Sequence, residues 1–344
     1  MVRTVIRRLL AALLVLLVVA AGFVLAARLG AFAISLETLR TRYATPHSRY
    51  LRLDGVEVHV ADEGQGPAIL LIHGHYQSLR VWEEWTRDLA RSHRVLRLDM
   101  PPYGLSGADP SGRYSPKRVE ELIALLVRRE KLTRFAIGGI STGSAIAMRY
   151  TLAHPDQVNA LILANAPLVP LPPAMRPKVS AWDQFLEDDF YRPVYRPEAF
   201  YQDLFDKLVV NRAVDTRALA HETYDMLRKP GNAAALETFT HALRFEARDY
   251  GQRSQTTQEQ LARVRVPTLV LWGEAGTMLP LAIGCEVART ASPGAPLLVG
   301  YAGAGHFLPL EAPRAGRDVA WFLADPQARL QGGTPPVGTR EACR

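Results

Sequence analysis

"GGISTGS", Gly138 to Ser144, decides how the rest of this sequence is read. It joins the apolar run "RFAIGGIS", which reads as a strand, to "TGSAIAMRYTLAHP", which reads as a helix. Inside it, Gly139-Ile140-Ser141-Thr142-Gly143 fits the pattern G-x-S-x-G. A strand that turns this sharply into a helix needs residues without bulky side chains two positions either side of the serine. The turn then lifts the Ser141 hydroxyl above the sheet. The backbone N–H of Thr142, in the first turn of the helix, points at the same spot and can help to hold an oxyanion. Outside this context the five residues would be a glycine-rich helix cap. Between a strand and a helix they are a nucleophile elbow.

The flanking sequence repeats the same alternation. Upstream, two short alternating runs around Asp54-Gly55 predict a β-hairpin. "PAILLIHG" and "RVLRLDM" are continuous apolar runs of the kind buried on both faces of a sheet. "VWEEWTRDLARS" between them has helical periodicity. "SPKRVEELIALLVRREKL" predicts a helix with Ser115 as N-cap and Pro116 at its first position. "VNALILAN" is the strand after the elbow helix. Strands alternating with helices imply a parallel sheet with right-handed crossovers. The alternation stops from about Leu168 to Gln260, where helical patterns rich in aromatics take over, among them Phe185, Phe190, Tyr191, Tyr195, Phe200, Tyr201 and Phe205. It resumes with "PTLVLWG", "APLLVGYAGAG" and the helical "RAGRDVAWFLAD".

Two further pieces carry chemistry. "LLIHGHYQS" sets His73-Gly74 at the end of an earlier strand. Glycine there lets the backbone approach a reacting atom, and the next N–H, that of His75, is the candidate second oxyanion donor. His73 reads as structural. "GAGHFLPLEAP" sets His306 just after the last strand, at the carboxyl end where open α/β sheets keep their sites. His306 is the candidate general base.

These pieces together resemble the α/β-hydrolase superfamily over about residues 49–325. The matching residues are His73-Gly74, "DMPPYGLSG" from Asp99, the elbow at Ser141, "VPTLVLWGE" and "GAGHF". The resemblance implies a mostly parallel eight-stranded sheet with a helical cap inserted after the sixth strand. It also implies a serine hydrolase that works through an acyl-enzyme and needs neither metal nor organic cofactor. Two departures stand out. Pro102 replaces a glycine usual in the "DMPPYGLSG" loop. More important, relatives commonly read G-E-x-D after the seventh strand, the Asp being the acid that orients the histidine, and this chain reads Gly273-Glu274-Ala275-Gly276. Three possibilities follow. Glu274 substitutes for the acid; Asn165 or water, after the sixth strand, partners the histidine; or the pair works without an acid. A serine at the elbow argues against the epoxide- and halide-directed relatives that carry Asp there. Carbon–carbon bond hydrolysis, perhydrolysis and non-catalytic ligand binding remain as alternatives to the favoured substrate, a lipophilic small-molecule acyl ester.

The remainder bounds location and partners. The net charge is +7, yet only five of 41 basic residues are Lys, and no basic run is interleaved with aromatics. Nucleic acid is therefore not an expected partner. "MVRTVIRR" is basic, and "LLAALLVLLVVAAGFVLAA", Leu9 to Ala27, carries no charge. Nineteen residues on a helix rise about 28 Å, enough to cross a bilayer. Arg3, Arg7 and Arg8 precede the span and only Arg28 follows closely, which keeps residues 1–8 cytoplasmic and places the remainder outside, in a bacterium the periplasm. "AFA", Ala31 to Ala33, also fits a signal-cleavage site, so secretion is the alternative. The expected organisation is an anchor at 9–27, a juxtamembrane linker at 28–48, core at 49–167, cap at 168–260, core again at 261–325 and a disordered tail at 326–344. Cys285 reads as a core residue and Cys343 as part of that tail, with no bridge between them.

Overall fold

The computed structural model describes residues 2–28, 30–172, 196–248, 257–291, 296–341 and 343. Among the described residues nine strands form one sheet: β1 (Ser48–Leu53), β2 (Val56–Glu63), β3 (Ala68–Ile72), β4 (Arg94–Leu98), β5 (Phe135–Ile140), β6 (Val158–Ala164), β7 (Thr268–Gly273), β8 (Leu297–Tyr301) and β9 (Thr339–Arg340). Their order is β1-β2-β4-β3-β5-β6-β7-β8-β9. From β4 through β8 neighbouring strands are parallel, while β1, β2 and β9 pair antiparallel. Asp54 and Gly55 both take positive φ, 46° and 81°, as a tight two-residue hairpin requires.

The apolar runs are continuous because both sheet faces are covered. In β3, Leu70 and Ile72 enter one core with Ile146, Phe205 and Trp272, while Ile69 and Leu71 enter the other with Trp82, Trp85 and Phe322. After α3 (Glu83–Leu89), which follows β3, the helix α4 (Pro116–Arg129) begins as its sequence predicts, with the Ser115 side chain accepting from the Arg118 N–H. The elbow helix α5 (Thr142–Ala153) follows β5 directly. Helices Glu198–Leu208, Thr216–Leu227 and Asn232–Arg248 lie between β6 and β7. Of the cap aromatics, Tyr201 and Phe205 are buried; Phe185, Phe190, Tyr191 and Tyr195 lie outside the described residues.

The N-terminal helix α1 (Val2–Arg28) is long and apolar enough, over Arg3–Ala26, to cross a membrane, and none of that span is buried against the protein. The stretch after it is more than a linker. Its helix α2 (Leu36–Tyr43) buries Leu39 against Leu105 and Met226. Asp225 of the cap accepts from Tyr43 Oη at 2.8 Å and from Arg42 at 2.9 Å. The Ile34 N–H donates to the Arg228 carbonyl at 2.9 Å, and Arg40 pairs with Glu57. Residues 34–43 therefore strap the cap to the core.

The C-terminal stretch differs from the expectation of disorder. Residues Pro326–Gln331 are helical, and β9 pairs with β8 as a ninth strand. Buried Asp318 accepts from the N–H groups of Val337 and Gly338, each at 2.8 Å. Cys285 and Cys343 form a disulfide, with Cα atoms 5.4 Å apart. The pairing was not legible because it joins positions 58 residues apart through a tail with no periodic pattern. Cross-linking that span restricts the unfolded chain, an effect of about 4 kcal/mol in the chain-entropy account. The double variant C285A/C343A is expected to lose up to about that much stability in denaturant titration. Alkylation of denatured, unreduced wild-type protein is expected to find no free thiol.

Candidate active site

The elbow is built from steric exclusion. A β-carbon on Gly139 would collide with the backbone of Gly143, and one on Gly143 would collide with the carbonyls of Ile72 and His73. Ser141 itself sits at φ 53°, ψ −121°, a backbone conformation that costs a side chain-bearing residue about 1–3 kcal/mol. Surrounding bonds hold it there. The Ser141 N–H donates to the Ala164 carbonyl at 3.0 Å, and the Ser144 hydroxyl donates to the Gly139 carbonyl at 2.6 Å. Because the elbow's backbone touches the end of β3, the loop carrying His73, Gly74 and His75 lies beside Ser141. Gln77 pins that loop by accepting from the Gly74 N–H at 2.7 Å.

His73 is fully buried and structural. Its Nε2 accepts from the Met100 N–H at 3.0 Å and its Nδ1 bonds the Gly74 carbonyl at 2.7 Å. The His75 ring shares a hydrogen bond of 2.6 Å with Tyr103 Oη and packs, tilted by 47°, against the Tyr76 ring. Tyr76 and Tyr103 also line a cleft of about 240 Å³ against the cap helix Thr216–Leu227, with Leu219, Met226 and Leu310 on its apolar side and the Arg80–Glu222 pair on its polar side.

His306 follows β8 and is 7% exposed. Two residues hold its loop: Glu311, which sequence reasoning did not place, and Asn165, which it offered as a partner of the imidazole. Glu311 accepts from the N–H groups of Phe307, Val210 and Asn211 at 2.9, 2.6 and 3.0 Å, tying the loop to the cap. Asn165 donates from Nδ2 to the carbonyls of Gly305 and His306 at 2.9 and 2.8 Å, and its Oδ1 accepts from the Gly273 N–H at 3.0 Å. Asn165 thus binds the histidine's backbone and leaves its imidazole alone. The only advance signal for Glu311 was a polar side chain just after the candidate base.

Among the described residues the imidazole has no acid. His306 Nδ1 is buried and has no hydrogen-bond partner among the described residues. Glu274 does not supply one. Its carboxylate lies over Gly300 beside Glu341, where a β-carbon on Gly300 would come within 2.5 and 2.9 Å of the two carboxylates. Burial, together with the Glu341 charge, pushes the Glu274 carboxyl above its usual range. Position 276, by contrast, packs against the histidine's own loop. A β-carbon on Gly276 would stand 3.5 Å from the Gly305 Cα, an ordinary contact, and the residue has no positive φ to forbid a side chain. With burial and no countercharge, His306 is pulled down to about 4. It is therefore a neutral base throughout the neutral range.

Comparison with known proteins follows the same lines. A profile of the α/β hydrolase fold matches residues 67–313. The chain is 32% identical over 147 residues to the pimeloyl-[acyl-carrier protein] methyl ester esterase of Aeromonas hydrophila, a match covering 41% of this chain and 56% of that esterase. It is 26% identical over 260 residues to the AB hydrolase superfamily protein YisY of Bacillus subtilis, covering 73% of this chain and 89% of YisY. Among solved structures, a bacterial membrane phospholipase A superposes with a TM-score of 0.65 at 24% identity, over 95% of this chain and all of that one.

With His306 as the candidate base, protonation would remove it, so kcat/KM is expected to stay level down to about pH 5 and fall as pH drops through about 4. Gly276→Asp places a carboxylate beside the histidine's loop and stabilises the imidazolium. It is expected to raise kcat at least about tenfold, within a ceiling near 10⁴, and to move the acid limb to higher pH. Glu274→Ala is expected to change kcat by less than about twofold, since that carboxylate does not bond Nδ1. A pH–rate series on the three proteins checks all three statements.

Proposed function

This chain belongs to the α/β-hydrolase family of enzymes, and on that premise we propose that it is a membrane-anchored serine hydrolase of lipophilic carboxylic esters. The observation that carries the reading is the strained elbow at Ser141, held by a backbone contact that also sets the His75 loop beside it. In this reading Ser141 attacks the acyl carbon and His306 takes its proton, then hands it to the alcohol that leaves as the ester C–O bond breaks, which frees the imidazole for the second step. The N–H groups of His75 and Thr142 bind the oxyanion, and the acyl-enzyme is released by water that His306 deprotonates. The missing acid lowers the rate rather than removing it, because oxyanion binding and positioning persist without it. The apolar side chains Leu219, Met226 and Leu310 that line the cleft beside Tyr103 favour a lipophilic substrate, although neither Ser141 nor His306 is among that cleft's lining residues.

The location rests on two supports. One is the arginine asymmetry around α1. The other is the Cys285–Cys343 disulfide, a bond that persists in oxidising compartments and is rare in the cytosol. Both favour a catalytic domain outside the cytoplasm, and the long uncharged span of α1 favours a single-pass anchor. Secretion after cleavage near Ala33 would satisfy the disulfide equally.

A second reading, ligand binding without turnover, is favoured by the unpartnered Nδ1 of His306. The two separate cleanly. If the enzyme reading holds, a fluorophosphonate labels the wild-type protein and p-nitrophenyl esters are hydrolysed, and Ser141→Ala abolishes both while the fold survives. Hydrolysis that persists undiminished in Ser141→Ala would sink the assignment. A C-terminal fusion to a reporter active only outside the cytoplasm is expected to be active, with the protein retained in membranes after a high-salt wash.

A further inference from the structure

One buried cation is used by nothing in the mechanism above. Lys229 follows the cap helix Thr216–Leu227 and is 8% exposed. Its ammonium donates to three carbonyls of the core: Ser106 at 2.7 Å, Gly104 at 2.9 Å and Tyr103 at 3.3 Å. A lysine is seldom buried this way, because removing its charge from water is costly unless every N–H is matched. Here all three are matched, and all three acceptors belong to one turn.

That turn is held from its other side by Asp99. The carboxylate accepts from the N–H groups of Leu105 and Leu79, each at 2.7 Å, and bonds His59 Nδ1 at 2.6 Å. Gly104, at φ 55°, lies so close to the Asp99 carboxylate that a β-carbon would collide with it. Between the two grips stands Tyr103, fully buried. Its ring meets His73, His75 and, from the cap, Phe239, edge to face at 5.7, 5.6 and 5.3 Å. Burial holds its hydroxyl well above the usual phenol range, so it keeps its proton and can donate to His75 Nδ1.

We propose that Lys229 is a positioning residue: it fixes the turn that carries Tyr103, and Tyr103 in turn fixes His75, so that the cap helps to aim an oxyanion donor. The inference rests on the functional reading given above, in which the His75 N–H binds the oxyanion. A lysine that only filled the hydrogen-bonding needs of a turn would affect folding. A lysine that acts through Tyr103 affects the transition state.

The experiment is a double-mutant cycle of Lys229→Met and Tyr103→Phe. It is read as kcat and KM on p-nitrophenyl butyrate and as the affinity of a trifluoromethyl ketone, which forms an oxyanion on the serine. Each single variant is expected to lower kcat about tenfold or more and to weaken the ketone in proportion, with KM within about twofold. The double variant is expected to be no worse than the worse single, because both act on one path. Unchanged kcat in either folded variant, losses that multiply in the double, or a KM effect with ketone affinity intact would overturn the proposal. If Lys229→Met fails to fold, Tyr103→Phe still decides: unaltered kcat and ketone affinity there overturn it. Wild-type protein without Ser141-dependent hydrolysis would instead remove the functional reading, and this inference with it. Ser141-dependent hydrolysis that ignores both variants would remove this inference alone.

Discussion

The contact on which the rest depends is between two pieces of backbone. Gly143 lies against the carbonyls of Ile72 and His73 so closely that not even a methyl group fits. That approach lets β5 turn straight into α5, puts Ser141 in its strained conformation and brings the end of β3 alongside. Parallel strands end at the same edge, so the loops after β3, β5, β6, β7 and β8 converge there. The contact is steric, and its attraction comes from elsewhere. The two packed faces of the sheet hold the strands in register, and the bonds of Ser141 and Ser144 close the turn.

Asn165 is the second organiser. It ends β6 and reaches the backbone of β7's end through Gly273 and that of the histidine loop through Gly305 and His306. A side-chain amide has one acceptor and two donor hydrogens, and these three bonds use the set in one direction each. The amide therefore does the structural part of an acid's work, fixing where His306 sits, without the electrostatic part. The imidazole is left in an apolar surround that disfavours charge. A base in this state is available over a wide pH range, but it gains little help when it must become an imidazolium.

Features set by local pattern were legible in the sequence. The elbow, the hairpin at Asp54-Gly55, the cap of α4 at Ser115 and the doubly buried strands each follow from spacing within a dozen residues. Features set by partners far along the chain were not. Cys343 finds Cys285, Asp318 finds Val337 and Gly338, and Asp225 finds Tyr43 and Arg42, and no periodicity announces any of these. Glu274 illustrates the same limit at short range. Its position suggested an acid two residues early, yet the chain turns at Glu274 and Ala275 straight after β7, and the carboxylate comes to lie over Gly300 beside Glu341. Gly276 is the residue that faces the histidine loop.

The strap between α1 and the core has a mechanical meaning. Ile34 is already bonded to the cap, so only about five residues separate it from the end of α1 at Arg28. Fully extended, they reach about 20 Å. A domain tethered by such a stub has little leash. With α1 in a bilayer, the catalytic edge would sweep a thin layer of solvent next to the headgroups. Its encounters with substrate would then be counted per unit area of membrane, and diffusion in two dimensions would set its supply.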